Sequence, residues 1–304
     1  MAARERRDRP CRALPLPAAP LLALLAGCAS VPYEFRTDLE GPRTLVLRPN
    51  EAQVERGRPN AFLDGLGHYV LSLPSKLILL NWHVDDHRIS EETERALRQY
   101  LDENGLHHVK VRLNQYKPGD EWRRLGRNRD VNGFWRFTLG ALSVVGYTAF
   151  PGRAFGGDSY NPYTNTIHLY SDDRAIALHE AGHAKDLAEL RRFKGAYSAL
   201  RVLPLVPLYQ EAEATGDAIG YERERGSGDD ERHAYRALYP AWGTYVGGEA
   251  ARWLPGPAWL PYALAAAGAL PGHVVGWVRS AFVEDRPRPE PTPGPAAPAA
   301  PQDP

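Results

Sequence analysis

The chain has 304 residues, with 37 Lys and Arg balanced by 37 Asp and Glu, so it lacks the basic excess that a nucleic-acid partner would call for. Hydrophobic residues make up 43% of it, and the length is enough to stand on an apolar core. With two cysteines, Cys11 and Cys28, the fold cannot rest on a disulfide framework.

The first predicted element is a targeting segment. Arg4, Arg6, Arg7, Arg9 and Arg12 precede an apolar stretch, Leu14 to Ala26, that ends Leu25-Ala26-Gly27-Cys28, the form of a secretory signal. The ending resembles a bacterial lipobox. That resemblance implies removal of residues 1–27 and a lipid on Cys28, which would attach the mature chain to a membrane. Ala29 is similar to the residue that Gram-negative sorting rules place there for the outer membrane, which implies a domain facing the periplasm. Removal of five arginines, one Asp and one Glu would leave a net charge of −3 and no thiol to pair with Cys28. Residues 28–58 then read as a polar tether, 59–285 as one domain, and 286–304, rich in Pro and Ala, as a disordered tail.

Within the domain, alternation and turn signals predict a strand at Leu77–Trp82, a helix from Glu91 to Glu103 behind Ser90, and a strand at Val109–Leu113. His83 and His87, with Asp85 and Asp86, form a possible metal cluster at the exit of the first strand, without a helical frame. Phe137–Pro151 is too short to span a bilayer and is expected in the core. A strand at Thr164–Tyr170 leads through Ser171-Asp172-Asp173 into a largely buried helix from Arg174 to Arg192. A further helix covers Pro207–Tyr221, with Pro207 suited to its first turn. Leu254–Val278 is interrupted by Pro255, Pro257, Pro261 and Pro271, and reads as a helix hairpin or a surface resting on a membrane rather than a span.

The helix from Arg174 carries His179-Glu180-Ala181-Gly182-His183. Residues four apart on a helix lie about 40° from each other, so both imidazoles can meet one ion. Glu180 then stands beside the pair as a candidate general base. Three carboxylates compete as third ligand. Glu189 falls roughly 240° around from His183 if the helix continues, and points away. Glu211 and Glu213 lie about 200° apart on the next helix, so only one can face the metal. Glu213 shares its face with Gly216 and Gly220, whose small size suits close helix packing, and is the expected ligand. Asp217, one turn further on, is expected to accept the outer N–H of a ligating histidine.

HExxH followed by an ExxxD element resembles the gluzincin peptidases, most nearly the HtpX and CAAX-prenyl-protease family, over roughly Thr164 to Tyr221. The resemblance implies an α+β, zincin-like fold of minimal gluzincin type, with a small mixed sheet and the HExxH helix packed on a Glu-bearing helix. It implies Zn2+ held by His179, His183 and Glu213, with Glu180 as base, and hydrolysis of a polypeptide substrate. The strand Thr164–Tyr170 is expected to pair with that substrate. The alternative is an envelope assembly factor or scaffold in which the zinc site has little hydrolytic activity.

Overall fold

A computed structural model describes residues 33–36 and 45–289; the signal segment, Cys28 and most of the expected tail lie outside them. The fold is α+β, mostly helical, with one small mixed sheet. Its strands are β1 (Val54–Arg56), β2 (Lys110–Leu113), β3 (Ser159–Asn161) and β4 (Thr166–Leu169), in the order β1-β2-β4-β3. β1, β2 and β4 are parallel, with Val111 opposite Ile167, and β3 runs antiparallel along β4 with Tyr160 opposite Ile167.

The larger helices, in chain order, are α1 (Ala61–Leu66), α2 (Leu73–Leu79), α3 (Glu91–Glu103), α4 (Pro118–Arg127), α5 (Ala141–Ala149), α6 (Arg174–Glu189), α7 (Lys194–Ala199), α8 (Val206–Arg225), α9 (Gly228–Ala251) and α10 (Leu260–Ser280). Alternation along β2 and β4 splits the sheet into two unlike faces. Val111, Leu113, Ile167 and Leu169 bury against Leu97 and Leu101 of α3 and Ala177, Leu178 and Ala181 of α6. Burying each of the larger side chains is worth about 1.5–3 kcal/mol. The intervening Lys110 and Arg112 point to the other face and are equally buried. There Lys110 pairs with Glu55 at 2.6 Å and Arg112 Nε with Glu121 of α4 at 2.8 Å. Paired and hydrogen-bonded, those charges are tolerated without water and fix α4 on the sheet.

The β-α-β order ahead of the metal helices is present, but its first strand is β1. The run expected as a strand at Leu77–Trp82 ends α2 instead, with Leu80 in the left-handed region at φ 49°. A short apolar run fits either state, and Pro74 in the first turn favours the helix. The 28–58 segment is consequently not all tether. Besides β1, it contributes Tyr33, whose hydroxyl donates to Asn104 and Asp217 at 3.2 Å each, and Phe35, which packs edge-on against Tyr33. At the other end, Arg286 and Arg288 bind Glu231 and Asp230, so the chain stays docked past the expected start of the tail.

The strand expected to receive substrate, Thr164–Tyr170, lies between β2 and β3 and has no free edge; the outer edge belongs to β3. Phe137–Pro151 is not core either. Val144 is buried, but Phe137, Leu142, Val145 and Phe150 are exposed, because α5 is an outer layer on the charged face of the sheet.

Leu254–Val278 is not itself a hairpin: from Leu260 it is one continuous helix, α10, which packs along α9 outside the segment. The prolines do not fragment it, since Pro261 occupies the first turn of α10, where its missing N–H costs nothing, and Pro271 is accommodated within the helix. No described helix is long and apolar enough to cross a membrane. Glycines set the helix spacing. A Cβ added at Gly247 would run into the carbonyl oxygen of Leu264, and one at Gly243 into that of Gly268, whereas one at Gly248 meets nothing within 4 Å. Gly247→Ala is therefore expected to destabilise by about 1–3 kcal/mol through overpacking. Gly248→Ala should be neutral or stabilising by up to about 1 kcal/mol from helix propensity. Urea unfolding of the two variants checks this, and equal midpoints would remove the packing argument.

Candidate metal centre

Two helices build the site. α6 begins behind Asp173, whose carboxylate caps the N–H groups of Ala175 and Ile176 at 2.9 and 3.2 Å. Asp173 is itself fixed by Asn81 at 2.6 Å and His233 at 2.9 Å. Half-way along α6, Gly182 lets α8 approach: an added Cβ would sit 3.0 Å from the carbonyl oxygen of Ala214. That close crossing places Glu211 of α8 opposite both histidines.

Glu211 Oε2 lies 3.0 Å from His179 Nε2 and 3.4 Å from His183 Nε2. The rings of His179 and His183 are 4.7 Å apart at 81°. Ligand atoms of the three residues fall within 4.8 Å of one another, a buried group that could hold a metal ion. Glu213, the ligand expected from sequence, is exposed on the outer side of α8. The correction is geometric. The face of α8 that meets α6 beside the histidines runs through Glu211, Ala214, Thr215 and Ala218, all buried, while Glu213 is exposed. Close packing is achieved by the glycine on α6.

Asp217 is displaced with Glu213. It accepts from Lys185 Nζ at 2.6 Å, from Tyr33 at 3.2 Å and from Tyr100, tying the N-terminal segment to both metal helices away from the imidazoles. Thr215, four residues after Glu211, holds Oγ1 3.4 Å from His179 Nδ1. It stands where a residue that fixes the tautomer of a ligating histidine belongs. Glu189 pairs with Arg36 at 3.0 Å and takes no part.

Charge is balanced locally. Burial alone would raise the pKa of Glu211, but His183 and His179 overcome it and hold the carboxyl well below its usual range. Burial depresses the pKa of His183 despite Glu211, whereas at His179 Glu211 overcomes burial and raises it. Glu180 is pushed up to about 7, chiefly by burial and then by Glu211 and Asp158 against the opposing pull of His179. Arg201 donates to Glu211 Oε1, which leaves Oε2 to face the histidines. The hydroxyl of Tyr245 is held protonated chiefly by the neighbouring carboxylate of Glu211, with Glu180 adding to the effect.

Arg201 and Tyr245 carry no sequence signal tying them to HExxH, since neither helical spacing nor a motif links them to α6. Both line a groove of about 660 Å³ that also reaches Glu180, His183, Glu211, the β3 segment and Leu142 and Phe150 of the α5 layer.

Of the possible second metal cluster, His83 and Asp86 do gather, together with Asp172 and not with His87, into a more exposed group that could also hold an ion. Asp85 and His87 turn inward, Asp85 to the N–H of Gly157 at 3.0 Å and His87 Nδ1 to Asn114 Oδ1 at 3.1 Å.

Comparison of the chain with protein-family models, curated proteins and solved structures found no match.

The ligand assignment has a direct test. Glu211→Ala is expected to abolish metal binding, measured by mass spectrometry of dialysed protein, while Glu213→Ala keeps it. Thr215→Ala should keep the ion but bind it about 10–100-fold more weakly. Metal lost in Glu213→Ala and retained in Glu211→Ala would reverse the assignment.

Proposed function

We propose that this protein is a zinc-dependent metallopeptidase of zincin-like fold that hydrolyses polypeptides at a bacterial cell envelope. The observation that carries the reading is Glu180. Two imidazoles and the Glu211 carboxylate suffice to hold an ion; a further buried acid beside them is superfluous for a structural site and is what hydrolysis requires. The donor set suits zinc better than calcium or magnesium, which seek oxygen ligands throughout.

A zinc ion held by His179, His183 and Glu211 supplies Lewis acidity and makes water a competent nucleophile near neutral pH. Glu180, buried beside the two histidines, is the group that would take the proton from that water and return it to the leaving amine. Tyr245, kept protonated, is placed to donate to the oxygen on which negative charge develops. Arg201 keeps Glu211 oriented. The free edge of β3, which lines the groove, is the element along which an extended substrate would add as a strand. The likeness to the gluzincins thus persists in an altered form, with Glu211 and Thr215 taking the places of the acid pair.

The N-terminal sequence supports anchoring through lipid on Cys28, at the outer membrane facing the periplasm. Tyr33, five residues later, is already hydrogen-bonded into the domain. At about 3.5 Å per residue, a lipid on Cys28 would hold this side of the domain within roughly 18 Å of the bilayer.

Glu180→Gln is expected to retain stoichiometric zinc and to lose cleavage of a quenched-fluorescent peptide library by about 10²-fold or more. Tyr245→Phe should lower kcat by about 10²–10³ with little change in KM. Undiminished cleavage by Glu180→Gln would refute the reading. Full envelope function in cells carrying that variant would favour the assembly-factor alternative.

A further inference from the structure

We propose that the small pocket beside His183 recognises a primary ammonium group of the substrate, supplied by a lysine side chain or by a free N-terminus. The inference rests on the peptidase reading and adds what the residue next to the scissile bond must present.

The pocket is small, about 40 Å³, and is lined, among others, by Tyr160, His183, Asp186, Ser198, Arg201 and Gln210. Gln210 is only 3% exposed. Its Nε2 donates to the carbonyl of Tyr197 at 3.2 Å, but its Oε1 has no hydrogen-bond partner. A buried acceptor left unmet is costly, and a ligand that donates to it removes that cost. Ser198 Oγ donates to the carbonyl of Lys194 at 2.8 Å, so its own oxygen remains an acceptor. Asp186 accepts the hydroxyl of Tyr197 and has a second oxygen to offer. An ammonium group carries three N–H donors and no acceptor, which matches acceptors at Asp186, Gln210 and Ser198.

The charge of the surroundings selects a cation over a neutral donor. Burial first, and then the carboxylates of Glu213, Glu189 and Asp217, push Asp186 up to about 6 against the hydrogen bond from Tyr197. The one guanidinium on the pocket wall, that of Arg201, donates to Glu211. A ligand cation relieves the repulsion among these acids.

The test measures peptide binding without turnover. Full-length, zinc-loaded Glu180→Gln protein is titrated, by fluorescence anisotropy, with peptides that differ at one position, lysine against norleucine, each with a free or an acetylated N-terminus. One of the two ammonium sources is expected to bind roughly tenfold more tightly than its neutral counterpart, and the arm that shows the difference identifies the source. Adding Asp186→Asn should reduce the difference to within about twofold at unchanged zinc content, and adding the exposed Glu213→Gln should reduce it in part. Equal binding of charged and neutral peptides, no binding of any, or a preference that survives both substitutions overturns the proposal. Ammonium-selective binding with no cleavage by the wild-type protein would instead leave the pocket standing and sink the peptidase reading. Cleavage without selectivity would do the reverse.

Discussion

The site depends on the close crossing of α6 and α8 at Gly182 and Ala214. The residues of the candidate metal centre sit at fixed distances from that crossing: His179 and His183 on one helix, Glu211 and Thr215 on the other. A fully buried carboxylate such as Glu211 is expensive unless it is paired. Here it faces two imidazoles through one oxygen and a guanidinium through the other. The pairing explains why the carboxylate is tolerated in the interior and how its two oxygens are divided. The rest of the fold serves to hold the crossing. The sheet supports α6 from one side, the Lys185–Asp217–Tyr33–Tyr100 network ties the outer faces of α6 and α8 together, and Asp173 fixes the start of α6.

Much of this was legible in the residues, and the failures have identifiable causes. The helix Glu91–Glu103 is found with the expected bounds, because Ser90 and the Asn104-Gly105 pair punctuate it locally. β4, α6 and α8 were marked by alternation, by a capping aspartate and by a proline in the first turn. Leu77–Trp82 was misread because a short apolar run does not state its own period. The third ligand was misassigned for a subtler reason. Helical angles correctly separate Glu211 from Glu213, but deciding between them requires knowing which face of α8 meets α6. The small residues at Gly216 and Gly220 do not mark the face that carries Glu211; the close approach there is provided by Gly182 on the partner helix. Arg201 and Tyr245 reach the site through tertiary folding alone, and β1 forms from a segment too short to declare itself.

Once Glu213 and Asp217 are released from the metal, each has another setting. Asp217 becomes an internal anchor for the N-terminal segment, which makes Tyr33–Arg36 part of the domain. Glu213 and Glu189 lie close enough to Asp186, which lines the small pocket beside His183, to raise its pKa. The two ends of the groove therefore differ, with carboxylates near His183 and apolar side chains such as Leu142 and Phe150 along the α5 wall. A chain lying across it would meet charge selection at one end and apolar contact at the other.

The central claim is that His179, His183 and Glu211 bind a single zinc ion. Anomalous diffraction from crystals grown with zinc, recorded on both sides of its absorption edge, tests it most directly. The account requires one strong peak within about 2.0–2.2 Å of both Nε2 atoms and of a Glu211 oxygen. A peak bonded to Glu213, or density at the histidines with no zinc signal in fully loaded protein, would contradict it.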